Sequence, residues 1–543
     1  MVFARRSTTL LAAIIASCAM VLSLTACTSD NKTVVDGQTT VTSNSAGGVA
    51  VFTPSDGITL NQQTPLNKWA KLVPDLTKAL VDAGFKKGDI NHTTSDSLAK
   101  QSRAIQDFVV DHLSNNTTDD SGIAIAPDNM TLLVAPVVEA DASTRQYGDY
   151  VSQNLSTNDV TDEGATSDGE SSEDDSSKDD SSNTESDSTA SDEQAQAVDR
   201  LVSSLKLAKE SGMHVVLLGN SIEGYKPDAF VKFSDAQTIG KLQAEKMVSK
   251  LKLDKASKDN PKYIEVLLPY TAMDEKGNAN DSTFAQEAFR GIWQVLGSYY
   301  QKGVVESPSG TLDGKSTEND WQAVAYDAAK EGSTAKVLDK RLAKTDGQST
   351  LTRIDGIITM NDYIASEVVK ELDDLGYTGS AADINPQITI SGIVGNITGK
   401  KDLSRDAVPD PIKSPENDNA NDSSSSDDDA DKDTSASDKD RDSQWPLVTG
   451  YGAYVSNIPS IVNGKQWMTG MEDRQTIATD IAQACAKLNK DEALNSMPSI
   501  RNSEVGGVKK IPTISEPLLA VSASNLKSAL IDPGYISLAD AGL

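Results

Sequence analysis

Ile354-Asp-Gly-Ile-Ile-Thr359 is a short β-branched run that stops at Met360-Asn361-Asp362 and gives way to apolar residues at helical spacing from Ile364 to Leu375. A period of two followed by a period near 3.6 reads as a strand feeding a helix. The same succession recurs on both sides. Tyr263-Ile-Glu-Val-Leu-Leu268 precedes a helix over Ala285 to Tyr299, and His214-Val-Val-Leu-Leu218 follows one over Ala197 to Glu210. Gly122-Ile-Ala-Ile-Ala126 reads as a strand before a helix over Met130 to Ala140, and Gly57-Ile-Thr-Leu60 as a strand before a helix over Trp69 to Ala83. Strands bounded by turns and alternating with amphipathic helices define an α/β protein with parallel sheets.

Two runs interrupt this alternation, at about 155–195 and 402–443. Asp159 to Glu193 holds fourteen acidic residues against Lys178 alone, and Glu416 to Asp442 holds eleven against Lys432, Lys439 and Arg441. They account for most of the net charge of −30 on the 543 residues. Too few apolar side chains are present to offset ordering entropy, so both runs are expected to be disordered insertions, which surface loops tolerate. A solvated loop is the plain reading; loose cation binding or spacing within a polyanionic wall is the functional one. Nothing forms a basic stripe, which argues against a nucleic-acid partner. Outside the tether and these runs roughly 420 residues remain, enough for two lobes.

The first residues read as an export signal. Arg5-Arg6 is a charged n-region, Leu10 to Leu24 is an apolar stretch too short for a comfortable span, and Leu24-Thr25-Ala26-Cys27 closes it. The expectation is a lipoprotein signal over 1–26, cleaved before a lipidated Cys27, with the mature protein tied by that residue to the outer face of a bacterial cell membrane. An ordinary secretory signal or an uncut anchor would fit the same pattern less well. Thr28 to Gly48 is polar and reads as a flexible tether, with folded structure beginning near Val49.

Cys18 leaves with the signal and Cys27 would carry lipid, so Cys485 has no partner for a disulfide. It falls in a helical pattern, Ile477 to Leu488, as a small core residue. His92, His112 and His214 are the only histidines and no two have metal-ligand spacing, so no metal or cofactor is expected. Gly310 to Ser316 has three residues between its glycines where a phosphate-cradling loop needs four. No G-x-S-x-G elbow occurs, and the chain is not read as an enzyme.

Several stretches resemble type I periplasmic binding proteins, within them the D-xylose-binding and multiple-monosaccharide-binding receptors of ABC transporters. The most specific is Val231-Lys-Phe-Ser-Asp-Ala-Gln-Thr-Ile-Gly-Lys-Leu-Gln-Ala244, similar to the phrase that carries a family strand across the hinge and starts a helix of the second lobe. Asp355-Gly-Ile-Ile-Thr-Met-Asn-Asp362 with its helix resembles the family's "N-D" unit. Ile461-Val-Asn-Gly-Lys-Gln466 with Met468-Thr469 resembles its hinge return, and Glu516-Pro-Leu-Leu-Ala-Val521 with Asp532-Pro-Gly-Tyr535 resembles its last strand and tail.

The resemblance implies two doubly wound parallel-sheet lobes joined by a three-strand hinge, with ligand held outside the carboxyl ends of the strands. It implies an N-terminal lobe of 49–232 plus about 451–467, and a C-terminal lobe of 233–450 plus about 468–543. It also implies a function: a solute-binding lipoprotein of an ABC importer that takes a sugar or sugar-like molecule and meets permease subunits in its closed form. The alternative is a surface sensor or protein-interaction lipoprotein on the same fold with a diverged pocket.

Sugar recognition needs flat rings against apolar faces and polar side chains for hydroxyls. The family's Arg-Trp pair corresponds to Lys68-Trp69; Trp69 would stack on ligand or else pack its own helix. Asp362 matches a ligand-binding aspartate and is equally a candidate helix cap. Asn280, Asp281, Ser282 and Thr283 lie where the family has an Asp-Asn-Asn cluster, and Arg290 reads as a surface residue. Two positions depart from the pattern. Gly219-Asn220 replaces a charged Asp-Arg clamp, and Gly450-Tyr451-Gly452 replaces Gly-Gln-Asp; a second candidate for that match, Ile388 to Gly392, also lacks the acid. Losing these charge-assisted bonds points to a less polar or larger guest, with Tyr451, Tyr454 or Trp321 adding aromatic surface, or to a degenerate pocket.

Overall fold

The computed structural model describes residues 32–35, 38–41, 46–55, 65–115, 125–138, 146–150, 153–156, 184–273, 280–328, 330–343, 351–382 and 445–543. The leader with Cys27, most of the tether, Gly57–Leu60, Ile388–Gly392 and the acidic stretches 157–183 and 402–443 lie outside these residues. By chain contacts, 1–45 and 46–543 are separate units. The first contains an antiparallel hairpin, Lys32–Val35 with Gln38–Val41.

The second unit is α/β, as the strand–helix alternation predicts. Its first part supplies β1 (Gly48–Pro54), α1 (Trp69–Asp82), β2 (Ile90–Ser95), α2 (Leu98–Asn115), β3 (Met130–Val134), α3 (Thr184–Glu210), β4 (His214–Leu218) and β5 (Ala229–Lys232). The chain continues through α4 (Ala236–Leu251), β6 (Lys262–Val266), α5 (Thr283–Gln301), β7 (Val305–Glu306), β8 (Gly356–Ile358), α6 (Asp362–Asp374) and β9 (Leu447–Thr449). It ends with β10 (Met468–Met471), α7 (Arg474–Leu488), β11 (Ile500–Val505), β12 (Val508–Ser515) and β13 (Leu519–Ser522).

Two sheets organise these elements. One has seven strands in the order β11-β12-β5-β4-β3-β1-β2, parallel except for the β11–β12 hairpin. The other is parallel, in the order β7-β6-β8-β9. Alternation along each strand feeds two cores, as a sheet covered on both faces requires. On β1, Val49 and Val51 join Leu72, Leu76 and Leu80 of α1 and Ile477 and Ile481 of α7. Ala50 and Phe52 join Ile105 and Val109 of α2 and Leu201 and Leu205 of α3. In the smaller sheet Ile264, Val266 and Ile358 meet Ile239, Phe289 and Ile292 of α4 and α5. Ile357 meets Ile364, Val368 and Leu372 of α6. Cys485 is buried in the first core, where the absence of water pushes its thiol up, and it forms no disulfide.

Three expectations are corrected. The run Met130–Val134 is an interior strand of the large sheet, between β4 and β1, not a helix, and Ile125-Ala126 is not in a strand. All five residues of that strand are buried, and an apolar run covered on both faces carries no period by which to tell strand from helix. The acidic run does not stay irregular to residue 195, because α3 begins at Thr184. Glu193, Gln194, Ala195 and Ala197 are helix formers where the packed part of α3 begins.

The third correction concerns which segments belong to which sheet. The chain passes from the large sheet to the small at 232–236, returns at 471–474, and leaves again at 515–519. Helix α7 and the β11–β12 hairpin, spanning 474–515, therefore join the first lobe, not the second. Residues 451–467 belong with the second: Trp467 N–H donates to the Val448 carbonyl at 2.9 Å, and Gly470 N–H to the Gly450 carbonyl at 2.9 Å. The strand β10 pairs antiparallel with β13. The ends of these segments pack with Ile458, Ile461, Leu526 and Leu530 into a small separate core.

Candidate functional site

The carboxyl ends of both sheets face one another across the seam between the lobes. From the first lobe come Asn67-Lys68-Trp69 at the start of α1, Gly219-Asn220 after β4, and Phe233-Ser234 after β5. From the second come Phe284 on α5, Asn361-Asp362 at the start of α6, and Tyr451 after β9. Open strand ends and helix N-termini make such a crevice the natural binding place in doubly wound folds.

The chain itself fills that crevice. Residues 146–150, from the connection that leaves β3, lie between the two sides. Tyr150 stacks on Phe233 with centroids 4.7 Å apart and meets Trp69 edge-on at 5.0 Å; Trp69 also meets Phe233 at 5.7 Å. Tyr147 lies 4.7 Å from Phe284 and 6.3 Å from Tyr451. Polar bonds tie the segment to both lobes. On one side Asp149 pairs with Lys68 Nζ at 2.9 Å and accepts from the Trp69 N–H at 3.0 Å. On the other, Gln146 Oε1 accepts from Asn361 Nδ2 at 3.1 Å and its carbonyl accepts from the Tyr454 hydroxyl at 2.7 Å.

The sequence candidates take several positions around this seam. Lys68, Trp69 and Tyr451 line it, and all three touch residues 146–150. Asn220 is buried beside it and holds backbone: its Nδ2 donates to the Pro136 carbonyl at 2.9 Å and its Oδ1 accepts from the Gln153 N–H at 3.0 Å. Asn280 donates to the Thr271 carbonyl at 2.8 Å. Asp281 is exposed and closes a turn by accepting from the N–H and hydroxyl of Thr283, at 2.9 and 2.7 Å. Thr283 begins α5, one residue before Phe284.

Asp362 is fully buried, with its carboxylate bonded inside its own lobe: Gln466 Nε2 at 2.7 Å, Thr469 Oγ1 at 2.8 Å and the Tyr454 N–H at 2.9 Å. Burial pushes its carboxyl up to about 6 in spite of these donors. It is not the cap of α6. Asn361 is, accepting from the Ile364 N–H at 2.9 Å. Gly450 follows from the same packing, since a Cβ there would lie 2.1 Å from Asp362 Oδ1 and 2.7 Å from Gln466 Nε2. Trp321 is packed into the small-sheet core, 5.1 Å from Tyr270.

Sequence reasoning missed Glu472. It sits at the second crossing, buried, and its Oε1 accepts from the N–H and hydroxyl of Ser234 on the first crossing, at 2.6 and 2.5 Å. The Tyr451 hydroxyl reaches Ser234 Oγ at 2.5 Å and Glu472 Oε1 at 3.4 Å. Burial pushes the Glu472 carboxyl up to about 7. Phe233 and Ser234 stood within the phrase Val231 to Ala244, whose signal was directional, not chemical. Nothing in the sequence marked Tyr147, Asp149 or Tyr150.

No family model matches the chain, and no curated protein matches it. Among solved structures it is similar to an ABC transporter solute-binding protein from Clostridium phytofermentans with bound β-D-glucose, at 16% identity over 91% of this chain and 99% of that one, TM-score 0.44. It is similar to a carbohydrate transporter solute-binding protein from Chloroflexus aurantiacus in complex with D-glucose, at 18% identity over 92% and 98%, TM-score 0.43. A third is an ABC transporter solute-binding protein from Bacillus halodurans with bound myo-inositol, at 11% identity over 90% and 98%, TM-score 0.36. Among the described residues no helix is long and apolar enough to cross a membrane.

Proposed function

We propose that this chain is an extracytoplasmic solute-binding lipoprotein of an ABC importer, holding a sugar or sugar-like molecule between its lobes without changing it chemically. The observation that carries the reading is the convergence of rings from both lobes on residues 146–150, Trp69 and Phe233 around Tyr150 and Phe284 and Tyr451 around Tyr147, at the carboxyl ends of two parallel sheets. The Tyr150 ring already stacks on Phe233 in that space, so this wall suits a flat guest. The three crossings supply the hinge by which such a site opens. The leader ending in Cys27 supports a lipid-anchored, outward-facing address, and permease subunits are the expected partners. Lys68, Trp69, Asn280, Asp281, Thr283 and Tyr451 are the proposed contacts, while Asn220 and Asp362 act by holding the loops that carry them.

Isothermal titration against a sugar panel, with tryptophan fluorescence as a second signal, tests this reading. Saturable heat from at least one sugar is expected. Silence from every solute in both signals would overturn it. The seam filled by the chain's own residues favours one other reading, a surface sensor or interaction protein on the same fold. A pull-down that recovers a signalling partner and no permease would support that alternative.

A further inference from the structure

The segment that fills the seam uses recognition chemistry that a soluble guest could use. The carboxylate of Asp149 is held at two points, by the Lys68 ammonium and by the Trp69 N–H in the first turn of α1. That helix has no side-chain cap of its own, so Asp149 supplies the missing acceptor. The next residue presents a flat ring to Trp69 and Phe233, and its hydroxyl donates to the Lys68 carbonyl at 2.5 Å. Carboxylate, ring face and hydroxyl thus occupy one continuous site built by Lys68, Trp69 and Phe233.

The fit is incomplete in one respect. Asn67 is buried against the same segment: its carbonyl accepts from the Asp149 N–H at 2.8 Å, and a Cβ on Gly148 would lie 2.8 Å from the Asn67 Cβ. Yet Asn67 Nδ2 has no acceptor among the described residues. A buried donor left unmatched is costly, and a guest with further hydroxyls could satisfy it.

We infer that Asp149-Tyr150 is an internal occupant of the solute site, and that the solute it stands in for is an acidic monosaccharide, a hexuronate, which binds by displacing residues 146–150. The carboxylate of the guest takes the place of Asp149 between Lys68 and the start of α1. Its pyranose face takes the place of the Tyr150 ring against Trp69 and Phe233. Neutral sugars satisfy the rings but leave the ammonium unmatched once Asp149 has moved. This inference rests on the solute-binding reading above and specifies the guest.

Titration of the full chain with D-glucuronate, D-galacturonate, D-glucose and D-xylose tests it in three forms: the natural chain, Asp149→Asn with Tyr150→Ala, and that double variant with Lys68→Gln. Glucuronate or galacturonate is expected to bind at least about tenfold tighter than the neutral sugars, the gain of one charge-assisted contact. The double variant is expected to bind the acid about tenfold tighter still, and Lys68→Gln to remove the preference for acid over neutral sugars. Asp149→Asn alone, a conservative change, keeps the test open if the double variant melts, and circular dichroism checks each fold. Neutral sugars binding as tightly as acids, with no gain on removing the occupant, would overturn this inference and leave the solute-binding reading standing. No binding by any sugar to any form would overturn both.

Discussion

The carboxylate of Glu472 accepts hydrogen bonds from both the N–H and the hydroxyl of Ser234, so one buried acid joins the first and second crossings between the lobes. Among the described residues no cation pairs with it, and the Tyr451 hydroxyl and the like charge of Asp235 lie near. A hinge held by an uncompensated carboxyl is sensitive to that group's proton.

The pH dependence of stability follows from this. The Glu472 carboxyl stands at about 7 when folded against an ordinary 4.5, and that of Asp362 at about 6 against 3.8. Both bind the proton more tightly when folded. Their contribution is fully present below the unfolded values and is lost as pH rises through about 6 to 7. Urea melts at pH 5, 6, 7 and 8 should show stability falling with pH. In Glu472→Gln that fall should be smaller by on the order of 2 kcal/mol, and a slope parallel to the natural chain would show that Glu472 does not titrate there.

Replacing Asp362 by Ala should destabilise the fold by about 2–4 kcal/mol. Gln466 Nε2, Thr469 Oγ1 and the Tyr454 N–H all lose their acceptor in a buried place. A thermal melt unchanged from the natural chain would mean that the carboxylate is not held inside the lobe.

Gly450→Ala tests the same packing from the opposite wall. The added methyl meets Asp362 Oδ1 and Gln466 Nε2, so a loss of about 1–3 kcal/mol is expected. Combined with Asp362→Ala the two losses should not add, because the second change removes the atom the first one strikes.

Trp69→Ala should cost about 3–5 kcal/mol, since the indole is buried against Leu72, Tyr150 and Phe233. Denaturant unfolding measures it. A loss under 1 kcal/mol would indicate that the ring is not a member of the core.

Much of the fold was legible because local period and tertiary role coincide. His214–Leu218, Lys262–Val266 and Gly356–Ile358 are strands where β-branched runs stand, and the helices after Lys68, Asn361 and Asp473 begin within a few residues of their expected starts. Met130–Val134 was not legible, because complete burial removes the alternation that identifies a strand. Lys68, Trp69 and Tyr451, expected at the crevice, stand at the seam. The buried bonds of Asn220 and Asp362 were not legible, since a polar side chain that holds backbone and one that faces solvent look alike until their partners are known.

The sequence by itself determined that strands alternate with helices, where the two acidic runs fall, and that Cys485 stands in a helical apolar pattern. These depend on neighbours a few residues away. Only the tertiary structure decided that 474–515 returns to the first sheet, that Glu472 meets Ser234 some 238 positions earlier, and that Tyr147 and Tyr150 enter the seam. Each of those contacts joins segments whose spacing along the chain carries no periodic mark, and only packing brings them together.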